Sequence, residues 1–549
     1  TEIYTLSLHD ALPIFFLAGS HIDFDYGDEE MFGRLCRVDR DGDTPVLRFG
    51  KADYRVAVVP MMTTIRGTSI TLLDDFQKAG GKVVFVGQPP AYVDVVKSTG
   101  AAELARKTTQ VEWKREALVA AVKDSLRIPV EFLDARGASA EKIFCQMRDD
   151  GDSKILVAIN TSTDQEQRGL TVRVKTVGAV TEWNCLTGER RAVAAVEKSG
   201  WTEFPADFVP SGEHVFVFTP KPVEGVPQEM PLAEVSRQEC AGPFAYELNE
   251  PNVCVLDLAD FQVDDKPVKT ETEILKIDQA VRQAFGLPLR GGEMVQPWFS
   301  KKFAAKPEAK GKLRMVFSFS VDALPAGPVQ LALEEPQNYA IKCNGKPITV
   351  APEGWWVDPA IQTISLPADA LVAGANTIEL TADFRADMNL EALFLLGSFG
   401  VRLDGTKKTL TKLPAQLSVG DLAAQGLPFY SGAVTYRVPL TVKLAAGQRA
   451  FLVTPKFEGA CVKATPTKVI PWQPYETDIT AEAQQGGELP VQVVLTRRNT
   501  FGPLHQVPLR SSGYGPGNWI TDGKGWSQDY QLYPAGLLEA PVISTRAQK

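Results

Sequence analysis

The 549-residue sequence contains only four histidines and seven cysteines. Cys36, Cys145, Cys185, Cys240, Cys254, Cys343 and Cys461 are scattered singly, without the close pairs of a zinc site or a redox motif. They read as small buried apolar residues in reduced form. No Gly-rich phosphate loop, HExxH or EF-hand pattern occurs, and the acidic run at 149–152 has too few spaced ligands for calcium. No run of Lys or Arg could follow a phosphate backbone, and the net charge is −9, so nucleic acid is disfavoured as a partner and a neutral or polar ligand fits better. No apolar stretch approaches the roughly 20 residues that a membrane span needs.

What is present divides unevenly. Residues 1–14, TEIYTLSLHDALPI, back-translate to a common sequencing-library adapter and are expected to be non-native. They hold neither Lys nor Arg and so lack the basic start of a signal peptide. A chain this long is expected to form about three to five domains. From 15 to 138 strand and helix alternate. The apolar runs YRVAVVP (54–60) and KVVFV (82–86) read as strands buried on both faces, and between them Ile70, Leu73 and Phe76 share a helix face stopped by Gly80-Gly81. Strand, helix and strand predict an open parallel α/β sheet.

From 139 to 222 the pattern turns to alternating strands, with hairpin turns at 149–152 and 186–189, and predicts an antiparallel β-sandwich. The stretch 223–300 reads as a linker with connecting strands, one at 249–260, and a helix at 274–285. The segments 301–402 and 403–549 carry period-two alternation and Gly, Pro and Asn turns, as two jelly-roll sandwiches do. The fold class expected is therefore multidomain, α/β plus all-β.

The last two segments share a plan. The first has Asn344-Gly345 and Gly374-Ala375-Asn376; the second has Pro474-Tyr475-Glu476, Asp478-Ile479-Thr480 and the run RNTFGPLH ending at His505. These elements resemble the galactose-binding-like sandwich, or sugar-binding domain, of glycoside hydrolase family two and its relatives. KATPTK at 463–468 departs from that pattern, which places an Asn-Gly turn there. Together with LPLRGGEMVQPWF (287–299), EALFLLGSFGV (391–401) and LPFYSGAVTY (427–436), they make the chain resemble the C-terminal half of large bacterial α-L-rhamnosidase-type hydrolases.

That resemblance implies an amidotransferase-like α/β domain followed by β-sandwiches. It also implies a preceding (β/α)8 barrel that inverts the glycosidic bond with two carboxylates, often with calcium. The expected partners are carbohydrate and that barrel; no cofactor is expected in the present stretch, and the compartment stays open, with a secreted or periplasmic parent among the alternatives.

Amidotransferase chemistry needs a nucleophilic Cys on the turn after a central strand and a His beside it. Gly87-Gln88-Pro89-Pro90 stands there instead, and Cys36 lies far upstream, which favours a structural role. The acidic group Asp23, Asp25, Asp28, Glu29 and Glu30 reads as a helix cap, although Asp25, Asp28 and Glu29 are also candidates to border the barrel's cleft. Trp298, Asn338, Tyr339, Trp355, Trp356, Trp472 and Tyr475 are candidates for holding sugar, since rings stack on C–H faces while amides meet hydroxyls; their alternative is core packing. His505 reads as a loop or interface residue. No catalytic residue and no metal ligand is assigned. Three functional readings stay open: the supporting part of a rhamnosidase-type enzyme, a free-standing carbohydrate-binding protein, and the tail of a family-two β-glycosidase such as a β-galactosidase.

Overall fold

The computed structural model describes residues 15–126, 129–227, 232–290, 307–509, 515 and 518–548. The chain is mostly β, with many antiparallel sheets. It divides into two compact units, Thr1–Pro231 with Trp472–Pro474, and Leu232–Pro471 with Tyr475–Lys549.

In the first unit Val56–Val59, Lys82–Val86 and Thr109–Val111 form a parallel sheet with Lys82–Val86 in the middle. The helix Gly67–Lys78 crosses between the first two strands and buries Leu73 and Phe76 against Val83 and Phe85. On the other face Val84 and Val86 pack with Leu118 and Val122 of the helix Arg115–Val122. Cover on both faces explains why these strands read as unbroken apolar runs. Gly80, at φ +90°, ends the first helix, and a Cβ on Gly81 would lie 2.2 Å from the Phe76 ring.

The β-sandwich that follows joins the sheet of Val130–Leu133, Gln167–Val174, Trp201–Phe208 and Val196–Lys198 to that of Ile143–Asp150, Ser153–Asn160, Glu213–Thr219, Ala179–Trp183 and Arg190–Val193. Phe132, Phe204 and Phe208 from one sheet meet Leu156, Phe216 and Phe218 from the other. The expected hairpin at 149–152 is present, with Asp150 opposite Ser153 and Gly151 at φ +59°.

The second unit holds two further two-sheet cores. In one, the sheet Asn252–Leu256, Leu393–Gly397, Gln330–Glu334, Asp358–Ser365 and Gly354–Trp356 faces a sheet centred on Ala309–Val321 and Gly374–Arg385. Leu313, Met315, Phe317, Phe319 and Val321 alternate inward along the long strand. In the other core, Ala433–Leu440 and Gly487–Val494 face Arg449–Val453 and Val542–Gln548. The chain between 232 and 273 supplies strands to both: Leu232–Glu239 and Tyr246–Leu248 to the second, Asn252–Leu256, Leu258–Val263 and Lys269–Glu273 to the first.

The turn residues that carried the resemblance are structural clamps. Asn344 and Gly345 take φ of +50° and +78° in a two-residue hairpin, and the Asn344 amide donates to the Ala370 carbonyl and to Asn376 Oδ1, both at 2.8 Å. At 463–468 a hairpin also forms, with Thr465 opposite Lys468, without an Asn-Gly pair.

Candidate functional site

The run 249–260 reads as one strand, but the chain changes sheets inside it. Asn252–Leu256 lies in one sheet and Leu258–Val263 in the facing one, with Asp257 at the crossing. Its side chain is 6% exposed, and the carboxylate accepts hydrogen bonds from the Tyr530 phenol and from His505 Nε2 at 3.1 Å and has Lys408 Nζ 3.8 Å away. Burial alone pushes this carboxyl up, yet the His505 hydrogen bond and the Lys408 charge outweigh it and hold it below the usual carboxylate range.

His505 Nδ1 faces the Ser527 carbonyl oxygen at 2.9 Å. Both ring nitrogens thus face acceptors, which requires two N–H donors and defines an imidazolium. Burial works against the charge, but Asp257 overcomes it and raises His505 above its ordinary value. The ring is held between Trp526 and Tyr530, at centroid distances of 5.7 and 5.0 Å. The rest of its motif packs into the first of the two cores of this unit. The Thr500 hydroxyl donates to the Phe429 carbonyl at 2.6 Å, Asn499 pairs with both backbone groups of Tyr533, and Phe501 packs on Phe394 at 5.4 Å.

Above this cluster lies a cavity of about 130 Å³. Ile361, Phe394, Phe501 and Leu504 form apolar walls, Trp519 adds an indole, and Asp257, Glu273, Glu334, Glu391 and His505 bring polar groups. Glu273 is the N-cap of the helix Ile274–Ala284; its Oε2 accepts from the backbone N–H groups of Leu275 and Lys276 at 3.1 and 3.3 Å. Burial, with the charge of Asp257 adding to it, pushes its carboxyl up to about 7 against those two N–H groups. Glu334 ends the strand Gln330–Glu334 and is pushed up to about 7 by burial and by the neighbouring charges of Glu391, Glu335 and Asp358. Glu391 pairs with Arg290 at 3.1 Å, and Arg290 also reaches Asp278 at 3.2 Å. Such a cavity offers ring faces to C–H groups and carboxyl oxygens to hydrogen-bond donors. Among the described residues, no group of three or more His, Cys, Asp or Glu side chains is arranged to hold a metal ion.

The residues singled out from sequence fall at several places. Trp356, 7% exposed, packs on Phe394 and Phe501 at 5.3 and 5.7 Å and so backs the cavity wall. Tyr339 lies with Glu334 and Glu391 around a second, water-sized void. The Asn338 amide donates to Glu335 and its oxygen accepts from Arg385, at 2.9 and 3.3 Å. Trp355, on the edge strand, is 59% exposed; Trp472 is exposed; Tyr475 packs on Phe457 at 4.9 Å. Trp298 lies outside the described residues.

In the first unit Asp28 caps the helix Glu29–Leu35 by accepting from Met31 N at 2.9 Å. Asp25 accepts from the Tyr54 phenol at 2.6 Å, and Glu29 from Arg66 N at 2.9 Å. Sequence reasoning missed Asp257, Glu273, Glu334, Glu391 and Trp519. A signal existed for two of them: Asp257 interrupts the apolar run NVCVLDLADF, and Glu273 directly precedes the helical pattern.

No family model matches the chain, and no curated protein does. Among solved structures it is similar to a rhamnosidase from Novosphingobium sp. PP1Y, with a TM-score of 0.29 and 17% identity over 68% of this chain and 36% of that one. It is also similar to an exo-carrageenase from Bacteroides ovatus (TM-score 0.24, 13% identity, 38% of this chain and 26% of that one). A third is an α-L-fucosidase from Paenibacillus thiaminolyticus (0.25, 11%, 40% and 46%). The chain thus spans 36% of the rhamnosidase's length. Identities and TM-scores this low carry neither fold nor activity over to it.

Proposed function

We propose that this chain holds carbohydrate for a glycoside hydrolase of the α-L-rhamnosidase type, with the bond-cleaving barrel contributed by polypeptide outside it. The observation that supports this reading is the cavity, where Phe394, Phe501 and Trp519 stand beside the carboxyls of Glu273, Glu334 and Glu391. Rings and carboxyls in one small hollow suit a pyranose, whose C–H faces stack while its hydroxyls donate. The well-partnered Asp257–His505–Tyr530 cluster fixes one wall, so the site is pre-formed rather than assembled on binding.

The test is a glycan array and calorimetry on the full chain, run beside an aryl α-L-rhamnoside assay. Binding that is lost in Trp519→Ala, with no turnover, is the expected result. Turnover at an enzymatic rate that disappears in Glu334→Gln would place cleavage in this cavity and overturn the assignment of the chemistry to a separate barrel.

A further inference from the structure

The cavity's polar groups are unbalanced in a way that points to the kind of sugar it takes. Among its lining side chains the donors inside the walls are already engaged. The Thr500 hydroxyl donates to the Phe429 carbonyl, and the two His505 nitrogens face Asp257 and the Ser527 carbonyl. Among the described residues only the indole of Trp519, 40% exposed, stands uncommitted. The acceptors are in surplus. Glu273 is 7% exposed and uses Oε2 for its helix cap, while Oε1 has no partner among the described residues; the Glu334 carboxyl has none there either. Among the described residues the nearby cations are already placed: Arg290 is engaged by Asp278 and Glu391, Lys408 lies beside Asp257, and Lys276, which feels the Glu273 charge, sits over the Trp526 ring at 3.0 Å.

We infer that the cavity is built for a ligand that brings both hydrogen-bond donors and a positive charge, namely the primary ammonium of an amino sugar. A neutral hexose supplies donors but no charge to set directly against the two carboxyls; an ammonium supplies both. The inference rests on the reading of the cavity as a carbohydrate site and narrows its ligand. The raised carboxyls of Glu273 and Glu334 add a signature, because both must lose their protons to pair with a cation.

Calorimetry or ligand-observed NMR on the full chain, with glucosamine, glucose and n-butylammonium as probes, tests it. Glucosamine is expected to bind about tenfold tighter than glucose or better, and Glu334→Gln to abolish the preference. Butylammonium binding is expected to strengthen as the pH is raised from about 5.5 to 8. Glu334 has no hydrogen-bond partner to lose among the described residues, so the variant should fold, and its melting curve checks this. Equal binding of glucose and glucosamine would overturn the ammonium inference and leave the carbohydrate reading standing. Binding of butylammonium without either sugar would keep the ammonium site and overturn the sugar. Failure of all three probes would overturn the inference outright.

Discussion

Replacing Asp257 by asparagine removes the carboxylate that pairs with two buried cations. Lys408 and His505 have side chains 3% and 7% exposed, and Asp257 is the acidic partner of both. Breaking a buried pair from one side costs about 3–5 kcal/mol, because the remaining charge loses its counter-charge where water cannot reach it. Asparagine keeps one oxygen for the Tyr530 phenol but turns N–H groups toward a cation, so we expect a loss of about 3 kcal/mol near neutral pH.

The whole chain holds several cores and will not unfold in one step, so the suitable assay is hydrogen exchange on peptides covering 252–263 and 498–509. The sign with pH follows from the two shifts. His505 is raised, so its contribution is complete below about 6.5 and fades as pH rises through its folded value. Asp257 is depressed, so its contribution is present above about 3.9 and fades as pH falls through its folded value. The deficit of Asp257→Asn should therefore be greatest between those limits and shrink toward alkaline pH. A loss below about 0.5 kcal/mol in both peptides, the level of an ordinary surface change, would refute the reasoning.

Other outcomes follow from the same geometry. Because Glu334 is raised to about 7, its charge works against the fold at alkaline pH; Glu334→Gln should stabilise its core by about 1 kcal/mol at pH 8 and by nothing near pH 4, read by hydrogen exchange on the peptide covering 330–336. Trp356→Ala, in the core behind the cavity, should cost about 3–5 kcal/mol, whereas Trp355→Ala on the exposed edge should stay within about 0.5 kcal/mol. Asp28→Ala removes a helix cap and should cost about 1 kcal/mol, seen as faster exchange in the peptide spanning 28–35.

Local patterns were the legible part of this chain. The parallel strands around the helix Gly67–Lys78, the hairpins at 149–152 and Asn344-Gly345, the helix after Glu273 and the Asp28 cap all follow from neighbours within a few residues. Contacts between distant segments were not legible. Leu232–Glu239 pairs with Val542–Gln548, about three hundred residues on, and nothing near 232 signals that partner. The change of sheet at Asp257 was hidden for the same reason: the groups that hold its carboxylate, Lys408, His505 and Tyr530, are all far along the chain. His505 accordingly read as a loop residue without a partner. Aromatic residues such as Trp355 and Trp356 look alike in sequence, and only burial separates the exposed edge residue from the one behind the cavity wall.

The most direct measurement is a crystal structure of the chain soaked with a short amino-sugar-containing oligosaccharide. The account predicts a sugar ring between Trp519 and the Phe394–Phe501 wall, with its donors on Glu273 and Glu334. An unfilled cavity, with the saccharide lying instead on Trp355 or Trp472, would contradict it.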